Sequence, residues 1–161
     1  MTNYLEIYSD IFALYNKLHT VHIRTVNMNC TATLHPLLGA HYEMLEDMQD
    51  TFGEDIIQKS LGKNVPTPLE SLNMATISGE EIADNSEDIV EDLYKDYEYL
   101  KANLKKATES EKNLLVQNIL LGLWDTATKL CADISREMEG EEEEKEETEE
   151  DTPKVGIPAK K

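Results

Sequence analysis

From residue 4 the apolar positions recur at spacings of three and four. Leu5, Tyr8, Ile11, Phe12, Tyr15 and Leu18, with His19 and His22, draw one stripe. A period near 3.6 residues is that of an amphipathic helix, here over 4–26. Asn27-Met28-Asn29 interrupts it, because asparagine side chains compete for backbone groups and favour turns. A second helix is expected from near Thr33, which keeps Pro36 in the first turn, to Leu61, with Gly62 as its C′ residue. Gly53 within it costs only about 1 kcal/mol. Thr67-Pro68-Leu69-Glu70 supplies an N-cap, a proline at the first helical position and a glutamate at the third, so a short helix starts there. A third long helix is expected over 86–107, with Ile89, Leu93, Tyr97 and Leu100 on one face. Thr108 and Glu111 have capping-box spacing and predict a fourth over 110–138, with Leu115, Ile119, Leu123 and Leu130 inward.

Four long helices with one long connection imply a chain that travels the length of a bundle between its second and third members. The expected fold class is all-α, a ferritin-like four-helix bundle with a short helix in the connection between helices two and three. Residues 1–138 form the bundle. Gly140 is expected to end order, and 139–161 to be a disordered acidic tail, since like-charged glutamates bury no apolar surface.

Charge narrows the function. The chain holds 15 basic and 33 acidic residues, a formal net charge of −18. Eleven acids and four lysines between 137 and 161 leave −11 on residues 1–136. Such a body repels phosphates and gains no counterion release on DNA, so DNA binding is not expected and cation attraction is. No apolar run approaches the ~20 residues of a membrane span. Met1-Thr2-Asn3-Tyr4 lacks the positive start of a secretory signal, and Cys30 and Cys131 suggest neither a disulfide framework nor a thiolate metal site. A reducing, cytoplasmic setting with two idle thiols is expected.

All four histidines, His19, His22, His35 and His41, fall within 23 residues. On an ideal helix Asp50 lies roughly 60° around from His35 and Glu54 roughly 100°, so the three share a flank, but Asp50 is about 22 Å further along the axis. One chain therefore cannot join these carboxylates to the histidines. A second subunit, antiparallel across a two-fold axis, can. A mixed imidazole and carboxylate set with open positions suits ferrous iron better than calcium or structural zinc. His41 falls on a different flank and is expected at the surface, and His19 is expected as a structural polar partner.

Leu18-His19-Thr20-Val21-His22, Leu34-His35 and Asp50-Thr51-Phe52-Gly53-Glu54, followed by Leu61-Gly62, Pro66 and Leu69, resemble the ferroxidase pattern of the Dps family, the mini-ferritins. The resemblance covers roughly residues 4–135, with its specific motifs in 18–72. It implies a homo-oligomer, a hollow dodecamer, in which His22 and His35 of one subunit face Asp50 and Glu54 of its two-fold mate. Iron would be oxidised there, stored as mineral inside, and drained together with peroxide. Four features depart from the pattern. The His22–His35 gap is one residue longer, Ile23 stands in place of a tryptophan, and Asp55 in place of an arginine. Gly39 occupies the position of a further acidic ligand, for which Glu43 is a distant substitute. No histidine has glutamate three residues before it, which argues against the intrasubunit di-iron site of larger ferritins. The alternative is a non-catalytic ferritin-like shell, structural or partner-binding through its acidic tail.

Overall fold

The computed structural model describes residues 3–28, 32–78 and 82–150. Its helices are α1 (Tyr4–Thr25), α2 (Leu34–Thr51), a π-helical continuation (Phe52–Ser60), the short α3 (Pro68–Met74), α4 (Ser86–Ser110) and α5 (Leu114–Glu150). This is the expected all-helical bundle with a short helix in the connection between its second and third long members.

Local chemistry explains most boundaries. The Asn3 and Asn85 side chains accept the Glu6 and Asp88 amides and open α1 and α4. Thr67 and Glu70 complete a reciprocal capping box behind Pro68, as the sequence predicts. Gly62 has φ +62° and ends the π-helical turn in the left-handed conformation that glycine adopts without strain. Thr108 and Glu111 do not form the expected box. Thr108 is still inside α4 and its hydroxyl donates to the Leu104 carbonyl, while the Asn113 side chain caps the Leu115 amide. The fourth long helix thus starts at Leu114, and Leu115, expected inward, is 66% exposed. Its buried stripe is Val116, Leu120, Leu123, Ala127, Leu130 and Ile134. Its backbone also runs through Gly140 to Glu150, further than the expected end. Glutamate is a strong helix former, and one glycine costs only about 1 kcal/mol. The remainder of the predicted tail, 151–161, lies outside the described residues, as does Cys30.

The bundle topology follows from contacts between helices. His22 meets His35, Tyr15 meets Tyr42 and Gln49 reaches Tyr8, so α1 and α2 are antiparallel. Tyr4 bonds Glu111, whereas Lys17 bonds Asp92 and Asp96, so α1 and α4 are antiparallel too. His41 faces Asp133 and Thr33 bonds Glu137, which makes α5 antiparallel to α2. Helices α2 and α4 therefore run parallel. The segment between them must return the length of a bundle whose third long helix, at 25 residues, measures about 37 Å.

The core is continuous, with Ile11, Leu14 and Leu18 of α1, Leu34, Leu38 and Leu45 of α2, Leu93, Tyr97 and Leu100 of α4, and Leu120 and Leu130 of α5 all buried. The core stripe of α1 is Ile7, Ile11, Leu14, Leu18 and Val21. Tyr15 and His22, expected on that stripe, are half-buried on its flank beside α2, and His19 is exposed there. Two charged residues enter the α1 stripe. Lys17, 4% exposed, bonds Asp92 and Asp96 at 2.6 Å each and fastens α1 to α4. The Asp10 carboxylate accepts the Thr76 and Ile77 amides at 2.7 and 3.1 Å and fastens α1 to the crossover. No described helix is long and apolar enough to cross a membrane.

Candidate functional site

The antiparallel α1–α2 hairpin brings the last turn of α1 against the first turn of α2. His22 and His35 meet there with Nε2 atoms 3.0 Å apart and rings edge-on at 4.1 Å between centroids. The His35 Nδ1 lies 2.9 Å from the His22 backbone carbonyl, which can only accept, so this nitrogen carries the proton. With the proton on Nδ1, the His35 Nε2 accepts a hydrogen bond from the His22 Nε2–H. Burial first, then the neighbouring His35 and His19, lower the His22 pKa, so His22 is neutral at pH 7. A ring whose far nitrogen is tied to a backbone carbonyl is oriented as metal-ligating histidines are. The 3.0 Å separation is that of an N–H···N hydrogen bond, and a metal held by both Nε2 atoms would require His22 to carry its proton on Nδ1 instead.

Gly39 lies beside this pair. A Cβ added there would stand 3.2 Å from the His22 Cε1, so the helix position expected to carry a further acid does adjoin the imidazoles. One turn back along α1, His19 stacks on Tyr42 at 4.8 Å, and Tyr42 stacks on Tyr15 at 4.7 Å with the two hydroxyls 2.5 Å apart. The hydrogen bond between them, followed by desolvation, pushes the Tyr15 hydroxyl up to about 12.

Asp50 and Glu54 are exposed on the outer face of the second helix. Asp50 is near enough to Tyr8 and Tyr15 to disfavour their ionisation. Glu54 lies in the π-helical segment, 3.6 Å from the Lys59 ammonium, which binds Asp55 more closely at 2.6 Å. Gly53 lies beside it in a tight place, where an added Cβ would stand 3.2 Å from both Tyr8 and Val65. The structure joins His22 to His35 but does not bring Asp50 or Glu54 to them. Among the described residues no three histidine, cysteine, aspartate or glutamate side chains converge. Asp47 instead lines a groove of about 570 Å³ between α2 and α5, with Met44, Met48, Ile119 and Leu123.

His41 corrects the expectation of a surface residue. It is buried, its Nδ1 is hydrogen-bonded to the Tyr97 hydroxyl at 3.1 Å, and its Nε2 lies 3.8 Å from Asp133, too far for a hydrogen bond. Burial dominates and lowers its pKa to about 4. Its spacing offered the missed signal, since Leu34, Leu38, His41, Leu45 and Met48 form one stripe in steps of four and three. Asp10 and Lys17 occupy the same kind of position between Ile7, Leu14 and Val21. Cys131 is buried and free, and burial pushes its thiol up to about 12, so it is unreactive.

No protein-family model and no curated protein matches the chain.

Proposed function

We propose that the protein is a ferroxidase and iron-storage protein of the Dps type, with ferrous iron as its substrate. The observation that carries the reading is the His22–His35 pair: two half-buried imidazoles whose Nε2 atoms meet 3.0 Å apart, one ring held by a backbone carbonyl. Imidazole ligands add no negative charge, so alone they would do little to favour ferric over ferrous iron. The charge that does so comes from Asp50 and Glu54, which sit further along the same helix and face outward, where a two-fold mate reaches them. The parallel α2 and α4, joined by one long crossover, support the ferritin-like reading. Histidines of one subunit and carboxylates of the other would hold ferrous iron near peroxide or oxygen, and the product would be stored within a closed oligomer, a dodecamer by the family resemblance. The acidity of body and tail favours cations over DNA, and a cytoplasmic setting goes with this reading.

Replacing Asp50 and Glu54 together with alanine tests it. Rapid ferrous oxidation, followed as ferric absorbance, should be abolished. Light scattering on the same sample should still give a large oligomer. A parent protein of monomer mass overturns the intersubunit site and the shell alike, and a double variant oxidising iron at the parental rate with both peroxide and oxygen overturns the reading in favour of the non-catalytic shell.

A further inference from the structure

The groove between α2 and α5 is left unfilled by the bundle's own side chains. It holds about 570 Å³ over an apolar floor of Met44 and Met48 from α2 and Ile119 and Leu123 from α5. Methionine side chains adapt their shape to a guest. Gly122 widens the space, since a Cβ added there would meet nothing within 4 Å. The walls are acidic at mid-length. Asp47 and Asp125 line the groove and are exposed, and the antiparallel register that sets His41 against Asp133 puts them at nearly the same level. Lys129 also lines it, toward the His41 end, where its charge acts on that ring.

A segment of matching chemistry follows α5. Residues 152–161 contain Lys154, Lys160 and Lys161, no acidic residue, and the apolar Val155 and Ile157. Pro153 and Pro158 disfavour a helix there, so an extended guest is expected. This segment cannot serve its own groove. The groove's nearer end, at Lys129, lies 21 residues before Glu150 on the same helix, about 31 Å at 1.5 Å per residue. Ile157, seven residues past Glu150, reaches back at most about 25 Å even fully extended. We propose that Val155 and Ile157 of a second copy of the chain dock in the α2–α5 groove, with the flanking lysines against Asp47 and Asp125. Apolar burial supplies the attraction, and the opposite charges fix the placement and make it weaken with salt. The inference stands apart from the ferroxidase reading, because it uses neither the histidine pair nor a metal.

The test uses the full chain. Unlabelled and isotope-labelled protein are mixed, unfolded in urea, refolded together and treated with a carbodiimide, which joins a lysine directly to a carboxylate it touches. Mass spectrometry of the digest should find Lys154, Lys160 or Lys161 joined to Asp47 or Asp125, with labelled and unlabelled chains linked as often as random pairing allows. The surface pair Lys59–Asp55, 2.6 Å apart, is the internal control. Gly122→Trp fills the groove, and Val155→Asp with Ile157→Asp removes the apolar anchors from a segment beyond the bundle core. Each variant should cut the linked product by about tenfold, the loss expected from one aliphatic side chain left unburied, with the control pair unchanged. Links confined to chains of one isotope overturn exchange between copies. Control links without tail links, or tail links at the parental level in either variant, overturn docking in the groove.

Discussion

The two histidine environments on α2 lie less than two turns apart and have opposite characters. His35, in the first turn, is half-buried at the seam with α1, with one nitrogen fixed by a carbonyl and the other aimed at His22. His41 is enclosed by α2, α4 and α5, hydrogen-bonded to a fully buried tyrosine, with its second nitrogen short of any partner. The same side chain is a hydrogen-bond acceptor in one place and a liability of burial in the other. What separates them is how many helices close over the ring. Two helices leave a face open to an incoming ion, whereas three exclude water and with it any charge.

The largest effect expected from this contrast is on acid stability. His41 has a native pKa of about 4 against the ordinary 6.5, so the unfolded chain takes up its proton first as pH falls. The stabilising difference is complete above pH 6.5 and is lost between 6.5 and 4, by about 3 kcal/mol. Urea unfolding of His41→Leu across that range should show a flatter acid limb than the parent. An unchanged limb would mean that His41 is not the group responsible.

The opposite outcome belongs to His35. Changing it to alanine should weaken iron binding by about 10–100-fold, on the scale of lost metal-site partners. Its effect on stability should stay within about 0.5–1.5 kcal/mol, the worth of an ordinary hydrogen bond. Isothermal titration and thermal melting on one preparation separate the two; a large loss of stability with no change in iron affinity would make the seam structural.

The smallest effect sharpens the comparison. Gly39→Asp places a carboxylate beside His22, and iron titration should show modest tightening. The new Cβ forces the His22 ring to give by a few tenths of an ångström, because 3.2 Å is a tight approach. Glycine to aspartate also favours the helix slightly, so a gain in melting temperature alone says nothing of iron. Weaker iron binding would mean that the ring cannot yield.

The reach of the sequence differed from place to place. Thr67, Pro68 and Glu70 announce α3 because capping is settled within four residues. The same spacing at Thr108 and Glu111 misleads, since the backbone there is still helical and the threonine hydroxyl turns back to Leu104. The π-helical turns leave no mark on a 3.6-residue pattern, although Gly53 and Gly62 sit where they begin and end. His22 and His35 were legible as a pair because a short turn makes neighbours antiparallel. His41, Asp10 and Lys17 were visible in principle, as polar residues on apolar stripes. Their burial depends on partners that the stripe does not name: Tyr97 for His41, two backbone amides for Asp10, and two aspartates for Lys17.

Asp10 also bears on the order in which the molecule forms. Its two hydrogen bonds join positions 66 and 67 residues apart. Contacts so distant along the chain carry a larger loop-closure cost than the local ones within the helical hairpins. A seven-residue helix such as α3 would fray on its own. Tethered through Asp10, the end of the crossover shares the fate of α1, so the Thr76 and Ile77 amides should exchange their hydrogens only when the bundle opens as a whole.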